Sequence, residues 1–249
     1  MEFIPLSSFV SLFNSIIAFG CAAIIFLRSR SAKKENVLAS NFTLGLFFTG
    51  LQFFFFSLPG IFIFDPKIIQ VVYIIGHAFI LTSMKYLIFM PLKIFSKKEY
   101  FIKISSWVLI GSAIFYVVVS LILLEPVEII YFKPFIDWRE LTPPFLQVLE
   151  WVLAAGTVLG IIFLFTVNGW FHKDDLIRKR SRAYAIGFLF IFIGWLSIIF
   201  FSLSLTNQRW ILVGGGVLGC VLISLGMILL LVATMSKNIS MLGIDRPEE

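Results

Sequence analysis

Charged residues are scarce in this 249-residue chain: they make up 14% of it, whereas soluble proteins carry about 25%. Apolar residues make up 59%, and the mean hydropathy is +1.00. A soluble domain of this length exposes more surface than so few charges can cover. The composition therefore excludes a soluble enzyme, a nucleic-acid-binding domain and a disordered chain, and it indicates a protein that crosses a membrane several times.

Cysteine and histidine are also rare, with two of each. Two cysteines cannot form a disulfide framework, and His77 and His172 are too few for a bis-histidine haem or a histidine-rich metal site. The sequence has no Cys-x-x-Cys, His-Glu-x-x-His or Gly-x-Ser-x-Gly motif and no phosphate-binding glycine loop. We therefore expect no metal, no cofactor and no enzymatic activity.

Seven apolar segments are each long enough to cross the roughly 30 Å hydrocarbon core of a bilayer as a helix. They cover about residues 5–27, 39–62, 68–92, 102–124, 144–170, 183–205 and 210–235. They are too long for barrel strands of roughly 10 residues, and all nine prolines lie at span ends, in loops or in the tail. The sequence predicts an all-α membrane protein, a seven-transmembrane-helix bundle over residues 1–236 with a short tail at 237–249.

Lysine and arginine are unevenly distributed among the connections between these spans. The connections after spans one, three and five, together with the C-terminal tail, hold 15 of the 20, and the other connections hold 4. Cytoplasmic loops of membrane proteins are enriched in these two residues. The pattern therefore predicts an N-terminus outside and a C-terminus in the cytoplasm, in a plasma or bacterial inner membrane.

Three ionisable side chains lie within the spans: His77 and Lys85 on span three and Glu150 on span five. Such groups are costly in hydrocarbon and are candidates for function. Helical rise puts His77 and Glu150 within roughly 6 Å of each other in depth, so the two would flank an outward-facing site for a ligand or a proton if their spans are neighbours. The alternative is that His77 bonds to a backbone carbonyl and Glu150 points to outer water.

Lys85 differs from Glu150 in depth by roughly 18 Å on the same arithmetic. Its long stem either reaches the cytoplasmic headgroups or places a cation where it binds an anionic ligand. A second group of cations, which we call the basic segment, precedes span six and comprises Lys173, Arg178, Lys179, Arg180 and Arg182. It is a candidate contact for a protein partner, and the alternative is ordinary topology with attraction to anionic lipids.

Small residues recur four apart on two of the spans. Gly156 and Gly160 form such a pair on span five, and Gly215 and Gly219 form another on span seven. This spacing lets transmembrane helices approach closely. We expect these glycines to pack helices within the bundle, with dimerisation as the alternative.

The predicted topology has an outside N-terminus and short basic inner loops. It also has a long outer segment from Glu125 to Pro144 and a basic run from Lys173 to Arg182. In these features the chain resembles the seven-helix sensor modules at the N-terminus of some bacterial histidine kinases. The sequence ends 14 residues after Met235 without a kinase domain. The resemblance therefore implies a sensor that binds a small or lipidic ligand and acts through a separate partner.

Two other functions are compatible with the same sequence. Low intramembrane polarity and small-residue faces suit an accessory subunit of a membrane protein complex. A small transporter or channel is less favoured, because spans one to three and five to seven show no internal similarity and no interrupted helix. In each case the expected partners are membrane lipids and a protein in the membrane or cytoplasm, and not nucleic acid.

Cysteine-accessibility labelling of intact cells checks the predicted orientation. In a variant without Cys21 and Cys220, Lys179→Cys should react with a membrane-impermeant reagent only after the membrane is opened. Asp137→Cys should react from outside. Labelling of position 179 from the exterior, or protection of position 137, would overturn the orientation.

Overall fold

The computed structural model describes residues 4–31, 37–96, 99–132, 135–203 and 209–235. Within these ranges seven α-helices are long and apolar enough to cross a membrane, which confirms the predicted helical, multi-pass class. They are α1 (Leu6–Ser31), α2 (Val37–Ser57), α3 (Pro66–Pro91), α4 (Glu99–Ile122), α5 (Pro144–Phe171), α6 (Asp175–Leu203) and α7 (Arg209–Met235). Their orientation across a membrane stays a prediction from the loop charges, and the predicted tail at 237–249 lies outside the described residues.

Two helix boundaries differ from the sequence-based expectation by five residues or more. Helix α2 ends at Ser57 rather than near Phe62, because the chain turns at Pro59 and at Gly60, whose φ of 71° favours glycine. Helix α6 begins at Asp175 rather than near Ala183. Four of the five cations of the basic segment therefore lie in the first turns of α6, and Lys173 precedes the helix.

A small three-stranded sheet covers one end of the bundle and was not predicted. It contains β1 (Ile4–Pro5), β2 (Glu128–Phe132) and β3 (Phe135–Arg139), in the order β1-β3-β2. β1 is parallel to β3, and β2 is antiparallel to it. The start of the chain and the connection between α4 and α5 therefore meet at the same end of the bundle, which we call the sheet end.

The sheet end rests on α3. Trp138 of β3 is buried against Ile69 and Val127. The first turn of α3 is fixed by Asp65, whose carboxylate accepts hydrogen bonds from the backbone N–H groups of Lys67 (2.9 Å) and Ile68 (3.0 Å). This N-cap, together with proline at the first helical position, defines where α3 begins, and so sets the depth of every side chain further along it.

The main apolar core lies nearer the opposite end of the bundle. Phe165 of α5 and Tyr184 of α6 stack there with ring centroids 4.9 Å apart, and the Tyr184 hydroxyl shares a 2.9 Å hydrogen bond with Thr234 of α7. At the end of α1, Arg28 donates a 2.7 Å hydrogen bond to the backbone carbonyl of Met235. Such a bond satisfies one of the carbonyls left open at the end of a helix.

Glycines bring α6 and α7 into backbone contact. A Cβ atom on Gly219 would lie 2.6 Å from the carbonyl oxygen of Gly194, and one on Gly226 would lie 2.6 Å from that of Gly187. Gly215 is buried one turn before Gly219. Only hydrogen atoms fit between these two helices at the crossing points, as in other close transmembrane contacts.

The expectation of close packing at Gly156 and Gly160 is wrong for the described part of the chain. A Cβ atom at either position would have no neighbour within 4 Å. The reason is the face they occupy: α5 packs inward through a stripe that does not include them. The buried residues of that stripe are Leu146, Glu150, Ala154, Val158, Ile161, Phe165 and Gly169.

These two glycine pairs give a matched test of the α6–α7 contact. Gly219→Leu should lower the free energy of unfolding by about 1–3 kcal/mol, because the new side chain must push two backbones apart. Gly156→Leu, which enters open space, should change it by less than about 0.5 kcal/mol. Unfolding in mixed micelles measures both, and equal losses for the two variants would contradict the assigned faces.

Candidate functional site

His77 lies between two carboxylates. Its Nδ1 is 2.6 Å from Oε1 of Glu150, and its Nε2 is 2.8 Å from Oε2 of Glu140. The side chains are 13% exposed for His77, 28% for Glu140 and 2% for Glu150. We call this arrangement the triad; one of its members is fully enclosed and one is open to the sheet end.

Three elements of the fold bring the triad together. His77 lies three turns into α3, and Glu150 lies on the buried stripe of α5. Glu140 follows β3 directly, in the short connection to α5. The same connection is fixed to α3 by a hydrogen bond of 3.4 Å from the backbone N–H of Leu141 to the buried side chain of Gln70.

Aromatic rings and hydroxyl groups surround the triad. The ring centroids of Phe56 and Tyr116 are 5.1 Å and 5.6 Å from that of His77, and Tyr73 packs on Phe56. Tyr116 and Thr142 are buried, and neither of their hydroxyls makes a hydrogen bond of normal geometry with the described residues, although the two interact with each other. A buried hydroxyl without a good partner carries a free-energy cost. Such a cost beside three ionisable groups marks this region as a candidate functional site.

The two hydrogen bonds of the triad share two protons. Each bond needs one proton, and a deprotonated carboxylate only accepts. The two protons are therefore either both on the imidazole, between two carboxylates, or divided between a neutral imidazole and one protonated glutamate. With no further proton on either carboxyl group, both distributions give the triad a net charge of −1. The arrangement can hold a proton and pass it between its members.

Sequence reasoning identified two of the three members. We expected His77 and Glu150 to be close if their spans were neighbours, and the structure places them in direct contact. Glu140 was missed, since it was counted only as part of the outer connection. Nothing in the linear sequence distinguishes it from Glu125 or Glu128 of the same connection, because its position depends on the unpredicted sheet.

Lys85 does not join this site. Its Nζ lies 4.3 Å from the ring centroid of Tyr86, a cation–π contact on its own helix. It is eight residues beyond His77 along α3, which is roughly 12 Å of helical rise. A role for Lys85 in binding an anionic ligand stays a prediction that is separate from the triad.

The basic segment is largely engaged within the protein. Asp175 pairs with Arg178 and with Lys179, the latter at 2.9 Å, and the hydrogen bond from Lys179 leads the effects that hold the pKa of Asp175 below its usual value. Arg182 donates a 2.8 Å hydrogen bond to the carbonyl of Gly169.

Burial further limits how much of the basic segment a partner can reach. Arg180 is 7% exposed, whereas Lys173 and Lys179 are open to solvent. The five cations therefore do not form one exposed face. A partner contact stays a prediction that is best placed on these two lysines.

No protein-family model matches the chain, and no curated protein matches it either. In the described ranges no group of three or more His, Cys, Asp or Glu residues could hold a metal ion. In the triad both ring nitrogens of His77 are already hydrogen-bonded to carboxylates, so neither is free to bind a metal ion. The interpretation of the site therefore depends on its own hydrogen bonds, charge and surroundings.

A double-mutant cycle tests the triad as an interacting unit. His77→Leu should lower the free energy of unfolding by about 3 kcal/mol, because it leaves the buried Glu150 without a partner. The double variant His77→Leu with Glu150→Leu should recover at least half of that loss, since no isolated buried carboxyl remains. Unfolding in mixed micelles gives the four free energies, and additive effects of the two substitutions would show that the contact is not formed.

Proposed function

We propose that this protein is a receptor or sensor of the plasma or bacterial inner membrane, in which a stimulus acts on the triad and a separate partner reads the opposite end of the bundle. One observation carries the proposal: His77 joins α3, α5 and the connection after β3 through two hydrogen bonds. A change in the triad therefore changes how three elements are held together. The predicted orientation places this site on the outer side.

A route from the triad to the opposite end is provided by α5. This helix carries Glu150 near its start and, four turns later, Phe165, which is fully buried in the main core. Near its end the carbonyl of Gly169 accepts the hydrogen bond from Arg182 of the basic segment. A packed helix moves as a unit, so displacement at Glu150 is expected to reach the basic segment.

A stimulus shifts such a molecule only if it interacts differently with two arrangements of the bundle. In one arrangement the hydrogen bonds of His77 hold Glu140 and the sheet against α3. In the other, at least one of these bonds is broken and the connection after β3 is released. The partial exposure of Glu140 favours it as the member that separates.

A second function, an accessory subunit of a membrane complex, is favoured by a different observation. Gly156 and Gly160 have open space above them, on a face of α5 where Val152 and Phe163 are also exposed. A helix of another protein could pack closely there. Purification in mild detergent distinguishes the two functions, since a fixed stoichiometric partner that is lost in Gly156→Leu supports the subunit.

Distance measurements between spin labels test the sensor proposal. Labels are placed by Ser29→Cys and Lys173→Cys, near the opposite end of the bundle, in a variant that lacks Cys21 and Cys220. Glu140→Leu releases one hydrogen bond of the triad, and we expect it to shift the distance between the labels by roughly 1–2 Å or more, as in other helix displacements.

Glu125→Leu is the matched control for that measurement. It removes a carboxylate from the same connection, and Glu125 is exposed and is not one of the two carboxylates bonded to His77. The control should leave the distance distribution unchanged. If Glu140→Leu leaves it unchanged as well, the triad is not coupled to the opposite end and the sensor proposal fails.

A further inference from the structure

The hydrogen bonds of His77 depend on protons, because both of its ring nitrogens face carboxylates. Nδ1 lies 2.6 Å from Oε1 of Glu150, and Nε2 lies 2.8 Å from Oε2 of Glu140. A carboxylate only accepts a hydrogen bond, and a ring nitrogen without a proton also only accepts. When one of the two shared protons is removed, a nitrogen lone pair therefore faces a carboxylate at that distance, and the contact becomes repulsive.

The addition of a proton has no such effect. A third proton can bind the carboxyl oxygen of Glu140 or Glu150 that does not contact His77, which leaves both hydrogen bonds in place. The assembled triad is therefore retained in acid, and it loses a bond only as the pH rises. This one-sided dependence follows from the donors and acceptors alone and does not depend on the total charge of the site.

Burial determines which of the two bonds is lost. Glu150 is 2% exposed, whereas Glu140 is 28% exposed. A carboxylate that loses its partner inside the bundle is strongly destabilising, whereas one at the sheet end can be solvated by water. The remaining proton is therefore expected on Nδ1 of His77, facing Glu150, and the bond between Nε2 and Glu140 is the one that opens.

Besides the two carboxylates, the described ionisable side chains around His77 are two tyrosines. The ring centroid of Tyr116 of α4 lies 5.6 Å from that of His77. Tyr73 of α3 packs on Phe56 of α2, which also contacts the imidazole. Tyrosine ordinarily ionises near about pH 10, above the range in which histidine titrates. The side chain of Arg139, the last residue of β3, lies outside the described ones, so its influence is left to the experiment.

We infer that the triad is a proton-sensing switch, in which a rise in pH removes one shared proton and opens the contact between His77 and Glu140. The inference rests on the proposed function and names its stimulus. The proton leaves to water at the sheet end, where both side chains are partly exposed. The assembled arrangement binds one proton more than the released one, so the ratio of released to assembled molecules rises by up to about tenfold per pH unit.

Nitrogen NMR of His77 tests the loss of the proton. The chain has two histidines, so in His172→Gln an isotope-labelled histidine reports on the ring of His77 alone, and a label at Nδ1 only assigns the two signals. The full chain in lipid nanodiscs is titrated from about pH 5 to about pH 9, a range that includes the titration of ordinary histidine and lies below that of tyrosine.

We expect the Nε2 signal to change as the pH rises and to be that of an unprotonated nitrogen at the end of the titration, with Nδ1 still protonated. The reason is that the enclosed Glu150 keeps its hydrogen bond while Glu140 is released. Signals that do not change with pH, or a final state with the proton on Nε2, would overturn the inference.

Glu140→Gln separates proton dependence from a structural role of this position. The new side-chain amide can donate a hydrogen bond to an unprotonated Nε2, so the contact no longer needs the shared proton. The distance between spin labels at positions 29 and 173 should therefore be constant across the pH range in Glu140→Gln. In the wild type it should move with rising pH from the value of Glu140→Gln toward that of Glu140→Leu.

Two further variants control for neighbouring charges. Glu125→Gln removes a carboxylate from the same connection, and Arg139→Gln removes the cation that precedes Glu140 in the chain. Both should keep a pH-dependent distance between the labels. A constant distance in either variant, or a wild-type dependence that persists in Glu140→Gln, would show that a group other than the triad is titrating and would contradict the inference.

The two measurements separate this inference from the proposed function. If the Nε2 signal of His77 titrates as expected but the label distance is the same in the wild type and in Glu140→Leu at every pH, the proton switch stands and the sensor proposal fails. If Glu140→Leu shifts the distance while the Nε2 signal does not change with pH, the sensor proposal stands and the proton inference is overturned.

Discussion

One imidazole ring with a carboxylate on each nitrogen organises the sheet end of this protein. Glu150 is 2% exposed within an apolar bundle, where an ionised carboxylate without a partner is strongly destabilising. His77 can be the partner of Glu150 only if α3 and α5 are neighbours. Its second nitrogen then bonds Glu140, which holds the connection after β3, and with it the sheet, against the helices.

The two ends of the bundle are held together by different interactions. Near the opposite end, Phe165 and Tyr184 belong to a close-packed core, and the glycine contacts of α6 and α7 extend the close packing toward the middle of the bundle. Such a core moves as a unit because packed interiors deform little. At the sheet end, hydrogen bonds between ionisable groups hold the elements, and these bonds depend on protons. In the proposed sensor, the site that responds is therefore separate from the rigid part that would transmit the response.

The spans could be predicted from the sequence because apolar length is a local property, and His77 and Glu150 were singled out for the same reason. Which face of each helix packs against a neighbour could not be predicted in the same way. Gly219 packs closely and Gly156 does not, although both belong to the same spacing pattern. Glu140 could not have been found, since it reaches His77 only through the sheet, in which Ile4 pairs with Phe135. That pairing joins residues separated by about half of the chain and leaves no trace in any short segment.

The sheet also provides a second connection between the triad and the opposite end. β3, the strand that precedes Glu140, is hydrogen-bonded to β1, and β1 leads directly into α1. α1 in turn is joined to α7 by the 2.9 Å hydrogen bond from Ser224 to Asn14, and at its end by that from Arg28 to Met235. Release of Glu140 would therefore act on α1 and α7 as well as on α5. In the proposed sensor, a partner that reads the end of α7 and one that reads the basic segment would therefore respond to the same event.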